Sequence, residues 1–312
     1  MKRTILTAAL IAALSALTAA AAAAADSYVI DIPVLQGLSV GAIPKMMKDV
    51  AVVLSKKTGA NITTREMSYK NGEDADVFKR IIKDFRDGKA DFALIHSPQQ
   101  YVKFKSEADA VMTPFFAISI NNKTQTSVCA YVRADSPIKT VADLKGKTWG
   151  GAHTMQARFL LNANGFNSPA KDFFGKLVFV DDTNVTTALD ALLTGRMDVY
   201  TGISFIEQMA RGANKKYATD IREFGCREYE ATWLFVYRKG VGSDVVAKFK
   251  NIMLNAPKDK DFAQFKFLLT ALKGKFVDFN PESLAVTQKT VQLSKKYGWE
   301  KEEKSFLKAN GR

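Results

Sequence analysis

Two runs of alternating strand and helix, parted by the polar stretch "NNKTQTS" at Asn121–Ser127, constrain this chain most. In the first run "YVIDIPVL" reads as a buried strand. "IPKMMKDVAVVLSKKTG" follows as an amphipathic helix stopped by Gly59. "ANITTREMSY" is the next strand and "DADVFKRIIKDFRDGKA" the next helix. "DFALIHS" is a third strand, "PQQYVKFKSEA" a helix with proline in its first turn, and "AVMTPFFAISI" a closing strand. Such a series packs as a parallel sheet covered by helices.

The pattern then restarts. "SVCAYVRADS", "KTWGGA", "KLVFVDD" and "MDVYTGI" read as strands, each followed by a helix, the first of these the short "TVADLKG". "REFGCREYEATWLFVYRKG" returns as a long extended segment, and the remainder is helical. The expectation is an α/β protein of two lobes, each a mostly parallel sheet flanked by helices, with a cleft between them. Residues 27–126 together with 229–312, including the C-terminal helices, form the first lobe. Residues 127–228 form the second. At 312 residues the chain is long enough for both.

The first 25 residues stand apart. "MKR" is basic, "TILTAALIAALSALTAAAAAAA" is apolar and alanine-rich, and "AAAAADS" offers small residues for cleavage. This is the pattern of a secretory signal peptide, cleaved near Ala25. Its length also fits an uncleaved anchor, but alanine is weakly apolar and the small-residue end suits a peptidase. No other stretch approaches the ~20 apolar residues of a membrane span. Export to a periplasm is expected. Removing Lys2 and Arg3 lowers the formal charge from +13 to +11, which favours anionic partners at long range. The lysines are scattered over helix faces (Lys45, Lys48, Lys56, Lys57, Lys79, Lys83), without an aromatic-plus-basic stripe, so no nucleic-acid partner is expected.

The two cysteines, Cys129 and Cys226, leave two readings open. Export permits a disulfide, while buried free thiols fit their apolar surroundings as well. The two histidines, His96 and His153, are too few for a stable metal centre, so neither metal nor cofactor is expected. Catalysis finds no support: there is no Gly-x-Ser-x-Gly elbow, no P-loop and no His-Glu-x-x-His.

Ligands of α/β sheets sit at the carboxyl ends of strands. In the first lobe these ends carry Gln36, Ser39, Tyr69, His96 and Ser97. In the second they carry Gly151, His153, Thr154, Gln156, Asn184, Thr201 and Ser204. The stretch "WGGAHTMQAR" places two glycines at the mouth of a helix. Free backbone N–H groups there suit an anion. Thr154 and Ser97 also read as ordinary helix caps.

The words "MMKDVAVVLSKKTGANI", "GKADFALIHSPQQYV", "RADSPIKTVADLKGKTW", "TTALDALLTGRMDVYTG" and "WLFVYRKGV" resemble the phosphonate/phosphite-type periplasmic solute-binding proteins of ABC importers, over Tyr28–Asn280. The resemblance implies the type II periplasmic-binding-protein fold, a small ligand of phosphonate-like oxyanion type, a transient membrane permease as partner and a monomer. Binders of this family hold the anion with a Ser-Thr-Ser cluster at the second-lobe helix mouth. Here only Thr154 keeps a hydroxyl. Where aminophosphonate binders carry carboxylates, this chain has Phe205 and Trp233, so an amine-bearing phosphonate is disfavoured. The alternative is a periplasmic sensor or scavenger domain that feeds a signalling partner and binds something other than a phosphonate.

Overall fold

The computed structural model describes residues 26–36, 42–70, 72–181, 185–263, 266, 269, 270 and 273–312. The expected signal segment and two candidate ligand residues, Ser39 and Asn184, lie outside them. Among the described residues the first run gives strands β1 (Ser27–Leu35), β2 (Asn61–Tyr69), β3 (Phe92–Ile95) and β4 (Met112–Ile120). The second gives β5 (Gln125–Arg133), β6 (Thr148–Gly151), β7 (Lys176–Phe179), β8 (Val199–Ile203) and β9 (Ile221–Ala231). Strands β10 (Leu234–Arg238) and β11 (Gly274–Asp278) follow.

The strands form two sheets, ordered β11-β4-β10-β3-β1-β2 and β7-β6-β8-β5-β9. The long extended segment read from the sequence is therefore two strands in two sheets. The chain changes sheet between β4 and β5 and changes back between β9 and β10. Each sheet is mixed. β1 pairs in parallel with β2 and β3, but β10 enters antiparallel between β3 and β4. In the other sheet β6 is parallel to β7 and β8, while β5 runs against β8 and β9. Strands that return across the junction arrive pointing the opposite way, which explains the antiparallel members.

Eight helices matter for the site and its frame: α1 (Ala42–Thr58), α2 (Asp74–Arg86), α3 (Pro98–Lys103), α4 (Thr154–Ala163), α5 (Ala170–Phe173), α6 (Ser204–Ala213), α7 (Ala285–Tyr297) and α8 (Trp299–Ala309). Helix α2 shows why they form. Val77, Phe78, Ile81, Ile82 and Phe85 fall on one face and are buried, while Lys79, Lys83 and Arg86 are not. That stripe packs on one face of the first sheet with Ala93 and Ile95. The other face is covered by α1 and by Phe249, against Ile30, Ile32, Phe92 and Phe116.

Helices α7 and α8 reach both sheets. In α7, Thr287 Oγ1 accepts from the Ala231 N–H at 2.7 Å and the Thr290 hydroxyl donates to the Tyr229 carbonyl at 2.6 Å. Trp299, at the start of α8, is fully buried in the core of the second sheet beside Trp149 and Leu160. The expected grouping of these helices with the first sheet thus covers only part of their contacts. Among the described residues no helix is long and apolar enough to cross a membrane.

Candidate functional site

A cavity of about 770 Å³ lies between the sheets. One wall comes from the carboxyl ends of β1, β2 and β3 with the first turns of α2 and α3. The opposite wall comes from the mouth of α4, the end of β8 and the first turns of α6. Tyr229, Glu230 and Trp233 line it where the chain passes from β9 to β10, and Glu300, Glu303, Lys304 and Leu307 of α8 close one side.

Of the residues expected from sequence, Tyr69, His96, Ser97, His153 and Gln156 line this cavity. Tyr69 is buried, and its ring centroid lies 4.8 Å from that of His96. His96 Nε2 and Asp74 Oδ1 share a hydrogen bond of 2.9 Å. Burial works against the Asp74 carboxylate, yet the His96 hydrogen bond and the nearby imidazoles hold its pKa below the usual range. Ser97 precedes α3 without a side-chain cap bond.

The other expected residues among the described ones lie outside the cavity wall. Gln36 is exposed. Thr201 is buried and accepts the indole N–H of Trp149 at 3.0 Å. Ser204 opens α6. Gly151 is buried at φ +154°, and a Cβ there would lie 2.9 Å from Trp149 Cζ2. A Cβ on Gly150 would lie 2.0 Å from Met197 Sδ. Both glycines are therefore small because of packing inside the lobe. Thr154 is completely buried, and its hydroxyl has no hydrogen-bond partner among the described residues.

The mouth of α4 is occupied. The Met155 N–H donates to Glu303 Oε2 at 2.8 Å, and Glu303 Oε1 lies 3.7 Å from His153 Nδ1. A carboxylate from α8 thus holds the backbone donor that the helix start exposes. Deeper in the wall, Gln99 Nε2 donates to Glu230 Oε2 at 3.1 Å. Burial raises the pKa of Glu230 to about 7, with Asp74 adding to the rise and Gln99, His153 and Lys103 opposing it. The Gln100 side-chain oxygen is buried in the same wall without a partner among the described residues. Phe205 and Trp233 meet edge to face, with centroids 6.1 Å apart, as the apolar corner.

Sequence reading missed Asp74, Gln99, Gln100 and Glu303. The polar pair after "SP" was a visible signal, since side chains in the first turn of a helix after a strand end face the same space as the strand end. Glu303 carried no signal, because nothing local ties a C-terminal helix to the mouth of α4.

Two mixed α/β sheets, with the chain passing between them and a cavity at their junction, define the two-lobed solute-receptor architecture. The chain belongs to the family of ABC transporter phosphonate periplasmic substrate-binding proteins, whose family model matches residues 41–277. Its fold is similar to that of PhnD1 from Prochlorococcus marinus, solved in complex with methylphosphonate, at 13% identity and TM-score 0.64, covering 88% of this chain and 99% of that one. XAC2383 from Xanthomonas citri bound to ATP is similar at 13% identity and TM-score 0.61, covering 88% and 98%. The periplasmic aliphatic sulphonate binding protein SsuA from Escherichia coli is similar at 15% identity and TM-score 0.55, covering 87% and 92%. No curated protein sequence matches the chain.

Proposed function

We propose that this protein is exported with cleavage near Ala25, captures a small oxyanion in the cavity between its sheets, and presents the loaded form to an ABC-type permease, acting as a monomer and without catalysis. Residues 27–126 with 229–312 and residues 127–228 act as the two lobes, and α7 and α8 span their junction. The observation that carries this reading is the cavity itself. It is bounded by strand ends of both sheets, where a ligand touching both walls favours the closed arrangement. The helix mouth at His153–Gln156 supports an anion, since backbone N–H groups and the positive end of the helix converge there. The ligands named for similar folds, methylphosphonate and aliphatic sulphonate, are oxyanions of the size such a cavity admits.

The test is a thermal-shift and calorimetric panel of methylphosphonate, inorganic phosphate, methanesulfonate and uncharged or cationic solutes. Saturable one-to-one binding of an oxyanion is the expected result. Binding confined to uncharged or cationic solutes ends the oxyanion reading, and slow turnover of any bound solute ends the non-enzymatic one.

A further inference from the structure

The seat that an oxyanion would take at α4 is held by a carboxylate of the chain itself. Glu303 accepts the Met155 N–H at 2.8 Å and approaches His153. It also lines the cavity, so its head group borders the space a ligand enters. Two further polar atoms at this mouth, Thr154 Oγ1 and Gln156 Oε1, are buried and have no partner among the described residues. Thr154 is 0% exposed and lies behind the cavity wall, while Gln156 lines it, so this mouth holds polar atoms that Glu303 does not satisfy.

Helix α8 does not need Glu303 to stay in place. Glu300 pairs with Lys103 of α3 at 3.1 Å on the first-sheet side. Glu302 accepts the Ala170 N–H at 2.6 Å and lies 3.1 Å from Arg158 Nε on the second-sheet side. Trp299 is sunk in the core. The Glu303 side chain is therefore free to leave the mouth by rotamer change alone, with its helix still anchored.

We propose that Glu303 is a built-in anion that holds the mouth of α4 in the empty protein and competes with the ligand's oxyanion for it. This rests on the oxyanion reading above. A tethered competitor taxes every ligand by the fraction of molecules in which the mouth is open. Strong oxyanions such as phosphonate and phosphate overcome the tax. The factor is the same for every ligand that needs the mouth, so Glu303 lowers affinity and leaves the ratio between such oxyanions unchanged. It also keeps the helix start satisfied between ligands, when the backbone donor would otherwise be buried without a partner.

The experiment is calorimetry at low salt with methylphosphonate, inorganic phosphate and methanesulfonate on the wild type, Glu303→Gln, Glu303→Ala and Glu302→Gln. Glu303→Gln keeps the size of the side chain and removes its charge. Glu302→Gln weakens the contacts of α8 with Ala170 and Arg158, which lie outside the cavity. Both Glu303 variants should bind methylphosphonate, phosphate and methanesulfonate at least tenfold more tightly than the wild type, each by a similar factor. Glu302→Gln should lower the melting temperature without tightening binding. Unchanged or weaker binding in the Glu303 variants overturns the proposal. So does an equal gain in Glu302→Gln, which would trace the effect to a loosened helix. If none of the three anions binds any of the four proteins while another solute binds the wild type, the competitor is refuted and the solute-receptor reading stands.

Discussion

Cys129 and Cys226 are joined by a disulfide across β5 and β9, with their Cα atoms 4.1 Å apart. The register of this antiparallel pair shifts between Val128 and Ala130, and Gly225 takes a positive φ of 67° beside the shift. Glycine tolerates that left-handed position, so the bulge forms without strain and turns the two sulfurs toward each other. The bond closes a separation of 97 residues, from the first strand of the second sheet to its last. Replacing both cysteines with alanine should cost roughly 2–4 kcal/mol. Urea melts of the oxidised wild type and the double variant measure this; coincident midpoints would refute it.

Glu230 should make the empty protein lose stability as pH rises. Its folded pKa of about 7 lies above the ordinary 4.5. The protonated form is thus favoured by folding, and the contribution is complete below pH ~4.5 and lost on passing upward through pH ~7. The loss amounts to about 3 kcal/mol. Glu230→Gln should flatten the slope of unfolding free energy between these pH values. An identical slope in the variant counts against burial of Glu230 as its source.

Arg158 is 2% exposed and has Glu302 as its carboxylate partner. Removing the carboxylate strands a buried guanidinium, left with a 3.0 Å bond to the Asn167 carbonyl and the Trp299 ring 5.9 Å away. Glu302→Ala should cost about 3 kcal/mol, and Arg158→Met added to it should recover part of that loss. Chemical denaturation of the wild type, Glu302→Ala, Arg158→Met and the double variant measures the coupling; strictly additive losses would show that the two side chains are independent.

Trp233 should report ligand. Trp149 and Trp299 are fully buried in the core of the second sheet, while Trp233 lines the cavity against Phe205. A solute that binds should change the emission of the wild type and leave that of Trp233→Phe nearly unchanged. A full signal retained in the variant places the change elsewhere.

Closure should accompany binding. A ligand held by both walls binds the closed arrangement better, and the crossings at Asn121–Thr124 and Thr232–Trp233 are the short segments about which the sheets can turn. Small-angle scattering at saturating ligand should give a smaller radius of gyration than the empty protein. Equal radii would argue for a rigid receptor.

Much of this was already present in the order of residues. Periodicity identified the strands and helices because each buries a single face: Val77, Ile81 and Phe85 recur at helical spacing whatever they touch. Strand ends located Tyr69, His96 and His153 near the cavity because side chains at a carboxyl end have few other places to face. Pairing between distant segments was a different matter. The extended run through "REYEATWLFVY" divides into β9 and β10 only because separate sheets offer each half a partner. Cys129 and Cys226 meet through a register shift that composition does not encode. Gly150 and Gly151 look like room for a ligand until Met197 and Trp149 are seen to fill the space beside them. Glu303 lies 148 residues from Met155, and only the packing of Trp299 into the second core brings its carboxylate to the helix mouth. Local chemistry sets what each segment is; which long-range contacts form depends on how the segments pack to exclude water, and this decided which polar groups share the cavity.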